Sequence, residues 1–295
     1  MSTAIVYNKS IEDMFFDMVF SIKKELENLG EDCFLIDNIS LAALSDEEIN
    51  FKKCIFFDKD IIQGMRLELL GVRLFNNIGS IELCDDKRKC NELIKRDFRV
   101  PETIYYPLVF KENDAFFSDF ANKVSEKLSL PLIAKTAFGS GGEQVFLLKS
   151  IEEVINFQKK YYKVPHLYSK FIKESKGKDI RVYVVGEKVV ASMLRENEND
   201  FRSNIIMGGH GSPFKISEEI KETAINLCKL LGLDFAGIDF LFSNDGNHYV
   251  CEVNSNAIFT AISKICNINI AKEIAQWVKE MKSGPGLEDI YFADL

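Results

Sequence analysis

The sequence of 295 residues predicts a mixed α/β and α+β protein whose N-terminal part is a small parallel-sheet α/β domain. Two observations predict this class. Over the first ~85 residues, short β-rich runs alternate with segments of helical periodicity, which is typical of parallel strands that are joined and covered by helices. From Leu167 onward strand patterns dominate, and pairs of strands flank tight turns, as in antiparallel sheets.

The N-terminal domain is predicted to span residues 1–84 and to contain four strands. Their predicted bounds are Ala4–Asn8, Cys33–Asp37, Cys54–Asp58 and Val72–Asn76. A helix from Ile11 to Leu29 is predicted to end at Gly30, since glycine readily takes the conformation of a helix C-cap. No GxGxxG motif follows the first strand, so the sequence does not support a dinucleotide site in this domain.

The central domain, residues 85–166, is predicted to be a small α+β module. The charged segment Asp85–Lys89 opens a helix that ends near Arg99, because the residue before Pro101 disfavours the helical conformation. The later elements are a helix over Ala115–Leu128, strands over Leu132–Lys135 and Gln144–Leu148, and a helix that begins at a capping box of Ser150 and Glu153. The glycine-rich segment Phe138–Gly142 connects the two strands.

The C-terminal domain, residues 167–295, is predicted to be rich in antiparallel strands. One hairpin turns at Gly186-Glu187, and a second turns within Asn244–Asn247. The hairpin strands are predicted at Asp179–Val185, Lys188–Leu194, Phe235–Phe242 and His248–Val253. Helices are predicted over Ser217–Leu231 and Ala271–Met281, and the tail after Gly284 is weakly patterned.

Composition and charge exclude several functional classes. The net charge of −8 disfavours non-specific attraction to nucleic acid or to an anionic membrane. The sequence starts without a signal-peptide pattern, and no apolar run approaches the ~18 residues of a membrane helix, so a cytoplasmic protein is predicted. Seven scattered cysteines without a CxxC pair predict buried reduced thiols, and three isolated histidines offer no metal cluster.

The second hairpin brings oxygen-bearing side chains together. If Asp245 and Gly246 form a two-residue type I′ turn, counting back along the two strands places Asp239 directly opposite Glu252. Side chains alternate along a strand, so Glu252 and Asn254 share a face. Two carboxylates and one amide oxygen therefore converge on one patch of the sheet.

These three side chains predict a Mg²⁺ site. Like charges directly opposite each other destabilise a sheet, so a cation is expected beside Asp239 and Glu252. Oxygen ligands of this type suit Mg²⁺, which also keeps positions for water and phosphate oxygens. A solvated acidic hairpin is the common alternative, but the neighbours Phe240–Phe242, Val250 and Val253 are apolar, and burial makes an unpaired acidic pair costly.

A glycine-rich loop and two lysines predict a polyphosphate partner for such a metal. The backbone N–H groups of Gly139–Gly142 can bind phosphate, although a loop of this kind alone is more often an ordinary turn. Lys135 closes the strand just before the loop, where its ammonium group can reach phosphate. Lys87 is a second candidate, and its alternative is a solvated lysine on a helix surface.

Strand ends supply further candidates for nucleotide contacts. Asp179 and Arg181 alternate at the start of a strand, where an acid can accept hydrogen bonds from ribose hydroxyls. Arg195 ends the next strand and precedes a polar segment that contains Arg202. The planar guanidinium of Arg202 suits a carboxylate or a transferring phosphate, and spacing alone leaves a surface-loop arginine equally open.

Together these segments resemble the ATP-grasp superfamily, and most closely its RimK-type carboxylate–amine ligases, the alpha-L-glutamate ligase-like branch. The resemblance covers about residues 86–275, and four motifs in the expected order carry it. They are Asp179–Gly186, Asp200–Asn204, Gly237–Phe240 and Cys251–Asn254. The resemblance implies a three-domain ATP-grasp fold in which ATP lies between two α+β lobes.

The resemblance also implies the cofactors and the roles of individual residues. The cofactors are ATP and Mg²⁺, with two ions that Mn²⁺ can replace. The implied phosphate-binding residues are Lys87, Lys135, Gly139, Ser140, Gly141 and Gly142, and the implied nucleotide-binding residues are Lys170, Phe171, Ile172, Asp179, Arg181 and Arg195. The implied residues at the reacting phosphate are Arg202 and Asn204, and the implied metal ligands are Asp239, Glu252 and Asn254. Lys170 departs from the family, which often has an acid near the adenine edge, so the adenine contact depends on the backbone of Phe171 and Ile172.

The implied reaction joins a small-molecule or peptide carboxylate to an amino acid or another amine. The carboxylate attacks the γ-phosphate to give an acyl phosphate, and the amine then displaces phosphate, which leaves ADP. Glutamate is the family's usual amine, and its members often form homo-oligomers. Two alternatives stay open: a ligase that cross-links a precursor peptide, and a nucleotide-binding module without catalysis. The segment Asn256–Phe259 departs from the family's Ser-Pro-Gly pattern, so the substrates can differ.

Overall fold

The structure, a computed structural model, describes residues 2–281, apart from the side chains of residues 12–14. The tail predicted to be weakly patterned after Gly284 lies outside the described residues. In the described part the strands form one parallel sheet and two antiparallel sheets. The predicted mixed class with an N-terminal parallel sheet is therefore confirmed.

The N-terminal sheet is parallel and has the strand order β2-β1-β3-β4. Its strands are β1 (Thr3–Tyr7), β2 (Cys33–Asp37), β3 (Lys53–Phe57) and β4 (Arg73–Phe75). The connecting helices are α1 (Glu12–Asn28), α2 (Asn38–Ala43) and α3 (Ile61–Leu69). The direction of strand addition reverses between β1 and β3. Their carboxyl ends therefore border a crevice of the kind in which open α/β sheets bind ligands.

The central sheet is antiparallel, with the strand order β5-β8-β6-β7. Two helices lead into it, α4 (Ile78–Asp85) and α5 (Lys87–Ile94). Its strands are β5 (Thr103–Tyr105), β6 (Leu132–Thr136), β7 (Val145–Leu148) and β8 (His166–Lys170), and its helices are α6 (Asp114–Leu128) and α7 (Ile151–Tyr161). The apolar side chains of this sheet and its helices form a separate core that includes Phe157 and Tyr168.

The C-terminal sheet is antiparallel, with the strand order β11-β10-β9-β12-β13. Its strands are β9 (Lys178–Val185), β10 (Lys188–Glu196), β11 (His210–Pro213), β12 (Phe235–Phe242) and β13 (His248–Asn254). Its helices are α8 (Glu218–Leu231), α9 (Thr260–Cys266) and α10 (Ile270–Glu280). One face packs against α8. The other face shares one apolar core with α1, α10 and the N-terminal sheet, in which Ile5, Tyr183 and Ile274 are fully buried.

Two further expectations concern the whole chain. Among residues 2–281, no helix combines the length and the apolarity needed to cross a membrane. All seven cysteines are free thiols, and five of them are buried, as the sequence predicts.

The buried side chain of Asn76 joins the N-terminal sheet to the C-terminal sheet. Asn76 follows β4, and its amide nitrogen donates to the carbonyl oxygens of Phe235 at 2.9 Å and Ser255 at 2.7 Å. Its amide oxygen accepts from the backbone N–H groups of Asp234 at 2.6 Å and Phe235 at 3.2 Å. Since these groups are buried, the one side chain satisfies four hydrogen bonds that water does not reach.

We expect Asn76→Ala to lower the free energy of unfolding by about 3 kcal/mol or more, because it leaves several buried backbone groups unpaired. Urea denaturation followed by circular dichroism measures this loss. Asn122→Ala, on the exposed face of α6, is the matched control and should change the free energy of unfolding by less than about 0.5 kcal/mol. A comparable, small loss in both variants would contradict the anchoring role.

His166 is a buried neutral histidine in the central sheet. Its Nδ1 donates to the carbonyl oxygen of Val164 at 2.7 Å, its Nε2 accepts from the Tyr168 hydroxyl at 3.0 Å, and its ring stacks on Tyr106 at 3.9 Å. Burial lowers the pKa of His166 to about 4. The unfolded chain, in which histidine has a pKa of about 6.5, therefore binds a proton that the folded chain excludes between these two values.

Acid should consequently destabilise the protein through His166. Between pH 7 and pH 5 we expect this residue to remove about 2 kcal/mol of stability, because protonation favours the unfolded state as the pH falls below about 6.5. The free energy of unfolding at both pH values, compared between the wild type and His166→Gln, isolates this contribution. An equal loss of stability in the two proteins would show that His166 does not cause it.

Candidate active site

The hairpin of β12 and β13 places Asp239 opposite Glu252, as the sequence predicts. The predicted two-residue turn is wrong, however, because Phe242 pairs with His248 and three residues, 244–246, form the loop. Gly246 closes the loop with a φ of +82°, a conformation that favours glycine. A β-bulge between Asp239 and Phe240 then shifts the register by one residue and restores the predicted pairing.

The bulge also decides which side chains of β13 face the site. Val250 and Val253 are buried in the core beneath α8, whereas Cys251, Glu252 and Asn254 line a cleft on the other side. In a regular strand Val250 and Glu252 would share a face. Because Cys251 is the extra residue, the valine and the carboxylate point to opposite sides.

Two arginines bind the buried acids of the sheet. Arg181 lies beside Asp239 in the register of β9 and β12, and its guanidinium contacts both carboxylate oxygens, with Nη2 at 2.9 Å from Oδ2. Arg195 lies beside Asp179, donates to both of its oxygens at 2.7 and 2.6 Å, and also contacts Asp239 Oδ1 at 2.9 Å. The charge of Asp239 is thus met by the protein, so repulsion between carboxylates does not by itself require a metal.

These contacts keep Asp239 ionised. Burial opposes the charged form, but the guanidinium groups of Arg181 and Arg195 outweigh it and hold the pKa of Asp239 below its ordinary value. A carboxylate has about four acceptor positions, and the three arginine contacts leave one free. Together, the free position of Asp239, the carboxylate of Glu252 and the amide oxygen of Asn254 offer only oxygen ligands, which fits Mg²⁺.

Two lysines extend the positive side of the site. Lys87, at the start of α5, donates to the carbonyl oxygen of Gly139 at 2.7 Å, and its Nζ lies 3.5 Å from the carboxylate of Glu252. Lys135, on β6, points its ammonium group to Cys251 Sγ at 3.6 Å. Lys87 therefore links α5 to the metal-ligand candidate Glu252, and Lys135 links the central sheet to Cys251, the neighbouring residue on β13.

The glycine-rich loop lies against the segment that contains Arg202 and Asn204. Arg202 binds the Asp200 carboxylate at 2.8 Å, and its Nη1 donates to the carbonyl oxygen of Gly142, also at 2.8 Å. Gly142 has a φ of +85°, and a Cβ atom there would lie 2.7 Å from Asn204 Oδ1. A side chain at this position would separate the loop from the polar segment beneath it.

All seventeen residues predicted for the site line the one cleft between the central and C-terminal sheets. They are Lys87, Lys135, Gly139, Ser140, Gly141, Gly142, Lys170, Phe171, Ile172, Asp179, Arg181, Arg195, Arg202, Asn204, Asp239, Glu252 and Asn254. Seven basic and three acidic side chains line this cleft, an excess of four positive charges that favours a polyanionic ligand. Their individual roles stay predictions.

A second cavity, the side chamber, adjoins the cleft and has a volume of 540 Å³. Nine residues line both cavities and form their shared wall: Lys87, Gly139, Ser140, Gly141, Arg181, Arg195, Asn204, Glu252 and Asn254. The chamber also takes residues from the N-terminal sheet, among them Asn8 and Asp58, which the sequence analysis did not identify as site residues. Both residues directly follow buried strands, β1 and β3, at the point where the strand order reverses. This position is the sequence feature that could have identified them as site residues.

The fold is that of an ATP-grasp ligase. A solved structure of D-alanine--D-alanine ligase from Bacillus anthracis, complexed with ATP, superposes with a TM-score of 0.74 and covers 95% of this chain and 96% of that chain. The two sequences are only 16% identical, so this likeness shows the fold alone.

The sequence comparisons define the family. Residues 84–278 match the family model of the RimK-like ATP-grasp domain. Human N-acetylaspartylglutamate synthase A is 35% identical over 231 residues, which are 76% of this chain and 56% of that protein. Human beta-citrylglutamate synthase B is 36% identical over 227 residues, with coverages of 76% and 57%. The chain belongs to the RimK-like ATP-grasp family, as its motifs predict, and it spans just over half the length of these relatives.

We expect Arg195→Met to lower the free energy of unfolding by about 3–5 kcal/mol, because it leaves Asp179 without its partner and brings two buried carboxylates into repulsion. Arg96→Met, at an exposed position after α5, is the matched control and should have an effect below about 0.5 kcal/mol. Urea denaturation measures both variants. The interpretation is wrong if Arg195→Met is as stable as the control, and restoration of stability by adding Asp179→Asn would support it.

Proposed function

We propose that this chain is an ATP-dependent carboxylate–amine ligase that forms an amide through an acyl phosphate. This proposal rests on one observation: the cleft and the side chamber meet at their shared wall, which is charged. The cleft is suited to a polyphosphate, the side chamber to an organic substrate, and Lys87, Arg195, Asn204 and Glu252 border both. A phosphate held at this wall would be accessible to a group in the chamber.

The nucleotide would lie in the cleft. Lys87 and Lys135 would neutralise its phosphates, and the loop of Gly139, Ser140, Gly141 and Gly142 would cover them with backbone N–H groups. The adenine would meet the backbone of Phe171 and Ile172 beside Lys170. Asp179, whose two oxygens already bind Arg195, would accept from the ribose with its remaining lone pairs.

Asp239, Glu252 and Asn254 would hold Mg²⁺. When bound, the ion neutralises phosphate charge and orients the phosphates for transfer. The protein's own part is to fix the three oxygen ligands on a rigid hairpin. Arg181 and Arg195 orient the Asp239 carboxylate, while Lys87 would supply positive charge beside Glu252 and Lys135 beside the adjacent Cys251.

The proposed reaction has two steps. An oxygen of the substrate carboxylate forms a bond to the γ-phosphorus, and the bond from that phosphorus to the bridging oxygen of ADP breaks. The amine nitrogen would then bond to the acyl carbon, the carbon–oxygen bond to phosphate would break, and the departing phosphate would take up the proton that the amine loses. Arg202 and Asn204 would stabilise the charge on the transferring phosphate, so positioning and charge neutralisation provide most of the catalysis.

The finer points are also proposals, which rest on the family resemblance for the metal ions, the amine and the oligomer, and on sequence pattern, composition and charge for the domain division, the location and the lack of a nucleic-acid partner. They are the division into residues 1–84, 85–166 and 167–295, two Mg²⁺ ions that Mn²⁺ can replace, an amino-acid amine, a homo-oligomer and a cytoplasmic location without a nucleic-acid partner.

A screen of amino acids against carboxylic acids for ADP release, with mass spectrometry of the products, tests the ligase function. We expect Glu252→Gln to abolish ADP release at unchanged thermal stability, because it removes a charged metal ligand. Glu222→Gln, exposed on α8, is the matched control and should keep full activity. Normal turnover by Glu252→Gln would refute the site assignment, whereas tight ATP binding without ADP release in the whole screen would favour a non-catalytic module.

A further inference from the structure

The side chamber has an apolar wall next to the charged junction. Met193, two residues before Arg195 on β10, lines the chamber and is 4% exposed, and Ile205 and Ile258 are partly buried beside it. Ile206 also lines the chamber, although 63% of its surface is exposed. The exposed surface of this wall, which belongs mainly to Ile206, favours an apolar ligand, because covering it removes apolar surface from water.

The basic side chains of the described chamber wall are engaged by carboxylates. The three that belong to the shared wall are bound to the acids of the cleft, as described above. Outside the shared wall, the basic residue is Lys59, which pairs with Asp85, and Asp58 is a second acid. This part of the chamber therefore carries one positive and two negative side chains.

We propose that the carboxylic acid activated by this chain has an apolar body and a single carboxylate. This inference rests on the proposed ligase function. The two relatives named above carry the acidic N-acetylaspartyl and citryl groups in their names. In the part of the chamber outside the shared wall, a second carboxylate would meet two acids and one cation, Lys59, which already pairs with Asp85, so the loss of its hydration would not be offset.

The geometry fixes how such an acid lies. Its reacting carboxylate belongs at the shared wall, which Asn204 and Arg195 border. The apolar wall begins immediately beside these residues, since Ile205 follows Asn204 in the chain and Met193 shares the face of β10 with Arg195. An apolar body attached to the carboxylate would therefore contact Met193 and Ile205 directly.

Two acids of nearly equal shape test the inference, N-acetyl-L-leucine and N-acetyl-L-aspartate. Each is titrated calorimetrically into the full chain with Mg²⁺ and a non-hydrolysable ATP analogue. We expect the leucine derivative to bind at least about tenfold more tightly, since burial of one isobutyl group typically provides a factor of this size. Equal or tighter binding of N-acetyl-L-aspartate, or binding of neither acid, overturns the inference.

This measurement separates the inference from the proposed function, because the analogue cannot transfer phosphate. Preferential binding of N-acetyl-L-leucine supports the inference whether or not turnover follows. If ATP with the same acid and a panel of amines then yields no ADP, the ligase function fails while the apolar preference stands.

A substitution at the exposed part of the wall provides the matched variant. Ile206→Arg adds an unengaged cation and should shift the ratio of the two affinities by about tenfold toward N-acetyl-L-aspartate. Ile39→Arg, on α2 at 65% exposure and outside the chamber lining, should leave the ratio unchanged. An unchanged ratio in Ile206→Arg, with nucleotide affinity intact, would overturn the placement of the acid along this wall.

Discussion

The cleft of the candidate active site depends on the pairing of buried charges in the C-terminal sheet. Asp239 and Asp179 are 4% and 7% exposed, and acids so deeply buried stay ionised only beside cations. Arg181 and Arg195 occupy the register positions next to them, so strand pairing itself brings each charge to its partner. The part of this face that carries the charge pairs lines the polar cleft, whereas Tyr183 and Val185 on the same face are buried in the core shared with α1 and α10. The opposite face buries Val182 and Val184 against α8.

The side chamber depends on a second constraint, the docking of the N-terminal sheet. Asn76 completes the hydrogen bonds of the backbone around Phe235 and Ser255, and Asn256 donates to the carbonyl oxygen of Asp58 at 2.8 Å. These contacts fix the carboxyl ends of β3 and β4 against β12 and the segment that follows the metal-ligand candidates. The same segment, Asn256–Phe259, is where the chain departs from the family pattern. If this segment also contacts the substrate, as we propose for the chamber that it lines, substrate selection and the docking of the N-terminal sheet depend on neighbouring residues.

The sequence predicted best those parts of the site that lie close together in the chain. The pairing of Asp239 with Glu252 follows from one hairpin, and it held although the loop has three residues, because the bulge at Cys251 compensates. The arginine contacts depend on which strands are neighbours in the sheet, and the side chamber depends on how distant segments dock. No local pattern contains that information. The sequence does not predict the edge strands β5 and β11, because strands of three and four residues are too short to show an alternation of apolar and polar side chains.

The shared core of α1, α10 and the N-terminal sheet has a consequence for the order of folding. Ile5 and Ile274 belong to one cluster, so the first strand cannot be fully buried until α10 has been synthesised. The central sheet, by contrast, closes its own core between Tyr106 and Tyr168. During synthesis the central sheet can therefore complete its core before α10 covers one face of the N-terminal sheet, whose other face packs against residues of its own domain, among them Leu41 and Leu67.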